Sequence, residues 1–209
     1  MKLYDFTPAP NPRRVRIFLA EKDIEVENIQ VNLAEKEQLS DAHKARNPTL
    51  DVPVLELDDG TYIHQVNAIC RYIEETHPQN PLYGRNPVER AQVEAWNHQM
   101  FLTGMMGVAD AYRNTTELFV DRALPGKHDY PQIPELAKRG FKRIPHYFND
   151  MNEHFASNEY VVGDYFSIAD ITAFVTVDFA KWVKQAPAEE HTHLKAWYER
   201  IAARPSATA

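Results

Sequence analysis

A small α/β domain followed by an all-helical domain is the fold class this 209-residue sequence predicts, and three observations predict it. A strand, an amphipathic helix and a second strand follow one another from KLYDF at residue 2 to Leu33, an order that implies a parallel pair joined by a crossover. Two apolar runs then flank Asp58-Asp59-Gly60, a hairpin signal. Beyond the proline-rich segment 77–87 only helical spacings of apolar residues recur.

Residues 2–6 form the first expected strand, and the prolines at 8, 10 and 12 crowd the loop that follows. A helix is expected from Pro12, since proline suits the first helical position and Asn11 is a favoured N-cap. Val15, Phe18 and Leu19 make its apolar stripe, with Arg13, Arg14 and Arg16 facing elsewhere. Ile29, Val31 and Leu33 alternate with polar residues as a half-buried strand. A polar helix over about 35–46, the strands 52–57 and 61–64, and a helix over 66–76 complete a β-α-β-α-β-β-α order. His77-Pro78 ends that last helix. The expected boundaries are 1–80 for the α/β domain, 81–87 for the linker and 88–209 for the helical domain. Helical runs are expected over 88–122, 131–156, 168–186 and 190–203.

Thirty acidic residues against 23 basic ones give a formal net charge of -7. That balance argues against a nucleic-acid or anionic-membrane binder, both of which need a basic face. Cys70 is the single cysteine, so no intrachain disulfide forms, which fits a reducing compartment. The N-terminus lacks a signal-peptide apolar region, and no apolar run approaches the roughly 18 residues of a membrane span. A cytoplasmic location is the default expectation.

Several features carry chemistry. A proline inside a strand forfeits a ladder bond, so Val52-Pro53 marks either a plain edge or a cis turn that leaves the Val52 backbone groups free for a peptide-like ligand. Gln65-Val66 opens a helix whose free N–H groups suit a carboxylate, unless it is an ordinary helix start. Asn11 either caps its own helix or donates to an anionic sulfur. Ser167 and Asp170 have the spacing of a capping box. Cys70 sits in a helix interior as an inert thiol. His191 and His193 lack a third metal ligand and belong on the surface. Met100, Met105 and Met106 suit an adaptable apolar wall or plain core. No phosphate-binding glycine loop and no zinc spacing is present.

Together, LYDFTPAPNPRRVRIFLAEK, NPTLDVPVLELDDGTYIHQVNAICRYIEE, YVVGDYFSIADITAF and LKAWYERIAARPS resemble the cytosolic glutathione transferases over essentially the whole chain. The run PNPRRVRIFLAEK is most similar to the fungal and bacterial members without the usual catalytic Ser, Tyr or Cys. The resemblance implies a thioredoxin-like glutathione domain, a helical domain bearing the hydrophobic-substrate wall (Met100, Gly104, Met105, Val108), and a homodimer. It implies that Val52-Pro53 is a cis-proline element gripping the cysteinyl part of glutathione. Gln65 and Val66 then hold the γ-glutamyl end, Gln38 meets the glycyl carboxylate, and Asn11 with the first helix stabilises the thiolate. No metal is implied.

This chain departs from the family pattern at three places. Ala9 stands where serine-type members place a hydroxyl, Gln65-Val66 replaces the common Glu-Ser, and Gln38 and Leu50 occupy positions where histidine is frequent. The expected function is conjugation of glutathione to small hydrophobic electrophiles. Glutathione-dependent peroxide or disulfide reduction is the alternative that uses the same thiolate, and a non-catalytic binding protein is possible because fold does not fix function.

Overall fold

The computed structural model describes all 209 residues. The first part runs β1 (Lys2–Asp5), α1 (Pro10–Glu21), β2 (Glu27–Gln30), α2 (Asp41–Arg46), β3 (Val54–Glu56), β4 (Tyr62–His64) and α3 (Val66–Thr76). The sheet order is β2-β1-β3-β4. β1 lies parallel to β2 with Tyr4 opposite Ile29, and antiparallel to β3 with Leu3 opposite Leu55. The β3–β4 hairpin pairs Leu55 with Ile63. Strand alternation sorts the side chains. Leu3 and Leu55 pack with Phe18, Ile69 and Ile73 in the main core, while Tyr4 and Val54 join Val31 and Val52 on the other face.

The helical part contains α4 (Pro87–Gln99), a π-helical turn over Met100–Met105, α5 (Met106–Arg113), α6 (Pro134–Phe155), α7 (Ile168–Ala180) and α8 (Thr192–Ala202). Asn86 caps α4, its side chain accepting from the N–H groups of Val88 and Glu89. Ser167 accepts from the Ala169 N–H at 3.2 Å while Asp170 accepts from the Ser167 N–H at 3.0 Å, the expected capping box.

Several boundaries differ from the sequence expectation. The run expected over 88–122 stops at Arg113, because the side chains of Asn114 and Thr115 turn back onto the carbonyls of Asp110 and Ala111. The stretch 35–46 divides into a 3₁₀ turn over Glu37–Leu39 and α2, separated by Ser40, which caps α2. The strand expected over 52–57 starts only at Val54, since Pro53 cannot join the ladder. His191 is buried rather than superficial: it pairs with Asn149 at 2.6 Å and accepts from the Ala188 N–H.

Helices α5 and α6 touch through glycine. A methyl group on Gly140 would lie 2.5 Å from the Ala111 nitrogen and 2.7 Å from the Gly107 oxygen, both backbone atoms of α5. Gly140→Ala is therefore expected to cost about 3 kcal/mol in urea unfolding, because the helices must part. A loss under ~1 kcal/mol would show that this contact yields easily.

The two halves share one core cluster of 40 buried residues, from Leu3 to Ala207. Polar ties reinforce it. Lys22 is buried against Glu74 at 2.5 Å and donates to the carbonyls of His77 and Gln79, while Glu74 accepts from the N–H groups of Leu82 and Tyr83. Arg13 reaches Asp178 at 2.6 Å, and Arg204 reaches Glu21 at 2.6 Å. No helix is long and apolar enough to cross a membrane.

Candidate active site

The loop between β1 and α1 is held from below. The fully buried Asp5 accepts from Arg16 at 2.7 Å and from Asn28 at 2.8 Å. Gln30 accepts from the Thr7 N–H at 2.9 Å, and Arg16 donates to the Thr7 carbonyl. Helix α1 then starts two residues earlier than expected. Ala9 occupies the N-cap with no side-chain acceptor, so Asn11 lies inside the first turn and does not cap the helix. The reason is local: Ala9 is already extended and its carbonyl takes the Arg13 N–H, so Pro10 fills the first position. Pro10 and Pro12 have no N–H. Among the first three residues of α1, Asn11 alone carries a backbone N–H, and it finds no acceptor in the chain.

The Val52–Pro53 peptide is cis. Just before it, the Asp51 carbonyl accepts from His43 at 2.9 Å and from Asn47 at 3.0 Å, and the Asp51 carboxylate accepts from Asn47 and Thr49. These ties fix the approach to Val52, whose own N–H and C=O make no hydrogen bond in the chain. Unpaired backbone groups of this kind are uncommon away from solvent, and Val52 is buried.

Gln65 follows with a left-handed φ of 73° and ψ of 129°, a conformation that costs a non-glycine residue about 1–3 kcal/mol. Its side chain is exposed and donates to Asp51 at 3.3 Å. The N–H groups of Val66, Asn67 and Ala68 at the start of α3 have no acceptor in the chain. An anion placed there meets free donors and the positive end of the helix. Gln38 stands in the 3₁₀ turn, half-buried, with its Oε1 lacking a partner.

Between the starts of α1 and α3 lies a polar cluster that the sequence did not reveal. Arg14, expected off the apolar face of its helix, is only 2% exposed. Its guanidinium donates to Thr172 at 3.1 Å, Asn11 at 3.3 Å and Asn67 at 3.4 Å. Asn97 donates to Asn67 at 3.1 Å and accepts from Thr172 at 2.6 Å, and Tyr83 donates to the Asn67 carbonyl. Burial pushes Arg14 down to about 10 and the neighbouring Cys70 thiol up to about 12, so at neutral pH the arginine is charged and the cysteine is an un-ionised, inert thiol.

The expected substrate wall is corrected. Met100, Gly104, Met105 and Val108 all lie buried inside the helical bundle. Met100, Gly104 and Met105 belong to the π-helical turn and Val108 to α5; the Tyr147 hydroxyl meets the Met100 sulfur at 3.6 Å and Gly104 abuts Tyr147 and Thr176. Partly exposed aromatics lie further along: Tyr112 packs edge-on against Phe119 and Trp182 at 5.4 and 5.2 Å. A cavity of about 120 Å³ opens beside α5, among Met106, Ala109, Arg113, Ile133 and Leu136, and the charge of Arg113 interacts with Asp51. No group of three or more His, Cys, Asp or Glu side chains is placed to hold a metal.

A four-stranded sheet with a cis-proline turn and two convergent helix starts, joined to a helical bundle, defines a glutathione S-transferase architecture. The family descriptions "Glutathione S-transferase, N-terminal domain" and "Glutathione S-transferase, C-terminal domain" match residues 1–75 and 118–205. The chain is 34% identical to Glutathione S-transferase 2 of Saccharomyces cerevisiae, over 99% of this chain and 87% of that protein. A glutathione S-transferase domain-containing protein of Marinobacter aquaeolei VT8 superposes with a TM-score of 0.91 at 37% identity, covering 99% of both chains. Elongation factor 1-gamma 2 of Oryza sativa is 29% identical over 87% of this chain and 42% of its own length. The chain belongs to the glutathione S-transferase family.

Proposed function

We propose that this protein is a cytoplasmic, homodimeric glutathione transferase that joins glutathione to small hydrophobic electrophiles. The observation that carries the reading is the pair of unpaired Val52 backbone groups beside the starts of α1 and α3. A γ-glutamyl tripeptide matches them: Val52 pairs with its cysteinyl backbone, and the N–H groups at Gln65-Val66 take its γ-glutamyl carboxylate. Gln38 presents its amide to the glycyl carboxylate, and the sulfur lies at Asn11.

The magnitudes suffice without a catalytic hydroxyl at Ala9. A free thiol titrates near 8.5, and lowering that by about two units takes roughly 2.7 kcal/mol of preference for the anion. A helix start contributes about 0.3–2 kcal/mol, and a hydrogen bond to a charged atom about 1.5–3 kcal/mol. In the reaction the thiol proton leaves to solvent. The sulfur lone pair then forms a bond to the electrophilic carbon, and the leaving group departs with its bonding electrons. Tyr112, Phe119 and Trp182 offer the partly exposed aromatic surface against which such a substrate lies, in place of the buried methionines.

The test is retention on immobilised glutathione followed by conjugation of an aryl halide. Retention with halide release is expected. Retention without turnover, but with glutathione-dependent peroxide reduction, would favour the reductase reading. Absence of both binding and turnover would leave a non-catalytic protein on this fold.

A further inference from the structure

The Arg14 guanidinium is buried among neutral groups. From every element packed against it come Asn11 on its own helix, Asn67 and Cys70 on α3, Tyr83 in the linker, Phe101 in the π-helical turn and Thr172 on α7. No carboxylate lies within ion-pair distance of it, and the nearby Glu74 is engaged by Lys22. Sequestering an unpaired charge is costly, so an anion elsewhere in its field is the natural counterpart. The hydrogen bonds show the direction. Asn11 and Asn67 both turn their Oδ1 atoms to Arg14, and the Nδ2 atoms of both have no acceptor in the chain yet are not sealed from solvent. A guanidinium only donates, so it selects one orientation of each amide.

We propose that Arg14 is a positioning residue for the thiolate: its carboxylate-free guanidinium holds the Asn11 and Asn67 amides with their N–H₂ groups outward at the starts of α1 and α3, and its charge favours an anion bound there. The inference rests on the glutathione reading above and names the group that makes the missing hydroxyl dispensable. Arg14 does not touch the substrate; it acts through the two asparagines and through its field.

The decisive measurement is the pKa of the glutathione thiol bound to the full-length protein at saturation, read by titrating ultraviolet thiolate absorbance. Arg14→Met keeps much of the apolar stem and removes the charge, and it is expected to raise that pKa by about one unit, a tenfold loss of thiolate at neutral pH. Arg14→Lys keeps the charge without the fork and is expected to fall between. Asn67→Asp leaves Arg14 in place but gives it a carboxylate at the same contact. It is expected to raise the thermal midpoint while also raising the thiol pKa, but the new carboxylate repels a thiolate in its own right, so the assignment rests on Arg14→Met and Arg14→Lys. If Arg14→Met fails to fold, Arg14→Gln, which keeps a side-chain N–H donor without the charge, takes its place. A wild-type protein that depresses the thiol pKa, together with folded variants that depress it equally, overturns the role of Arg14. A wild-type protein that does not bind glutathione instead overturns the underlying function.

Discussion

Asp170→Ala is expected to lower the free energy of unfolding by about 4 kcal/mol at neutral pH, enough to consume much of an ordinary domain's stability. The Asp170 carboxylate is fully buried and accepts from the Val161 N–H at 2.9 Å, the Ser167 N–H at 3.0 Å and the Trp197 indole N–H at 3.1 Å. Removing it strands those three N–H donors and the Ser167 hydroxyl, which come from the α6–α7 connection and α8, each worth about 1–3 kcal/mol when left unpaired. Urea denaturation measures the loss, and a change below ~1 kcal/mol would mean that those donors find other partners. The pH dependence gives an independent check. Burial pushes Asp170 up to about 6 against the ordinary 3.8, although its N–H donors pull the other way. The folded chain thus holds this proton more tightly than the unfolded chain. Stability from this group is fully present below the ordinary value and declines as pH rises through about 6. That decline disappears in Asp170→Ala.

Asn11→Ala is expected to raise the pKa of bound glutathione by one to two units, which lowers the thiolate fraction at neutral pH about ten- to a hundredfold. Asn11 combines two donors at one position: the only unpaired N–H in a turn that Pro10 and Pro12 otherwise strip of them, and a side-chain amide oriented by Arg14. The substitution keeps the first donor and removes the second, so binding of the tripeptide backbone at Val52 is expected to persist while the sulfur becomes less acidic. A titration superimposable on wild type would remove Asn11 from thiol activation.

Periodicity and punctuation made the elements legible. The alternation through Ile29–Leu33, the Asp-Gly hairpin and the capping box at Ser167 each report a local rule, and local rules survive folding. Boundaries that depend on side chains folding back were not legible, as at Asn114 and Thr115. Three alternating prolines offer more than one possible first position, so the sequence leaves the helix start at Pro10 open. Arg14 was hidden for a different reason: an arginine one residue before an apolar stripe ordinarily faces water, and only the arrival of α7 and Asn67 from distant parts of the chain converts that position into an interior. Met100, Met105 and Val108 show the converse. Their residue types mark them as apolar surface but not which layer that surface meets.

The common core of the two halves has a practical consequence. All three tryptophans, Trp96, Trp182 and Trp197, belong to the helical half, yet the clamp of Lys22 on the linker and the bridges from α1 to Asp178 and Arg204 join that half to the sheet. Tryptophan fluorescence is therefore expected to report the melting of the whole molecule, with a transition that coincides with one followed by a probe on the sheet. Residues 1–86 expressed alone would leave Arg13, Arg14 and Glu21 without Asp178, Thr172 and Arg204. Neither half is expected to stand alone, since the polar cluster around Arg14 is assembled from both.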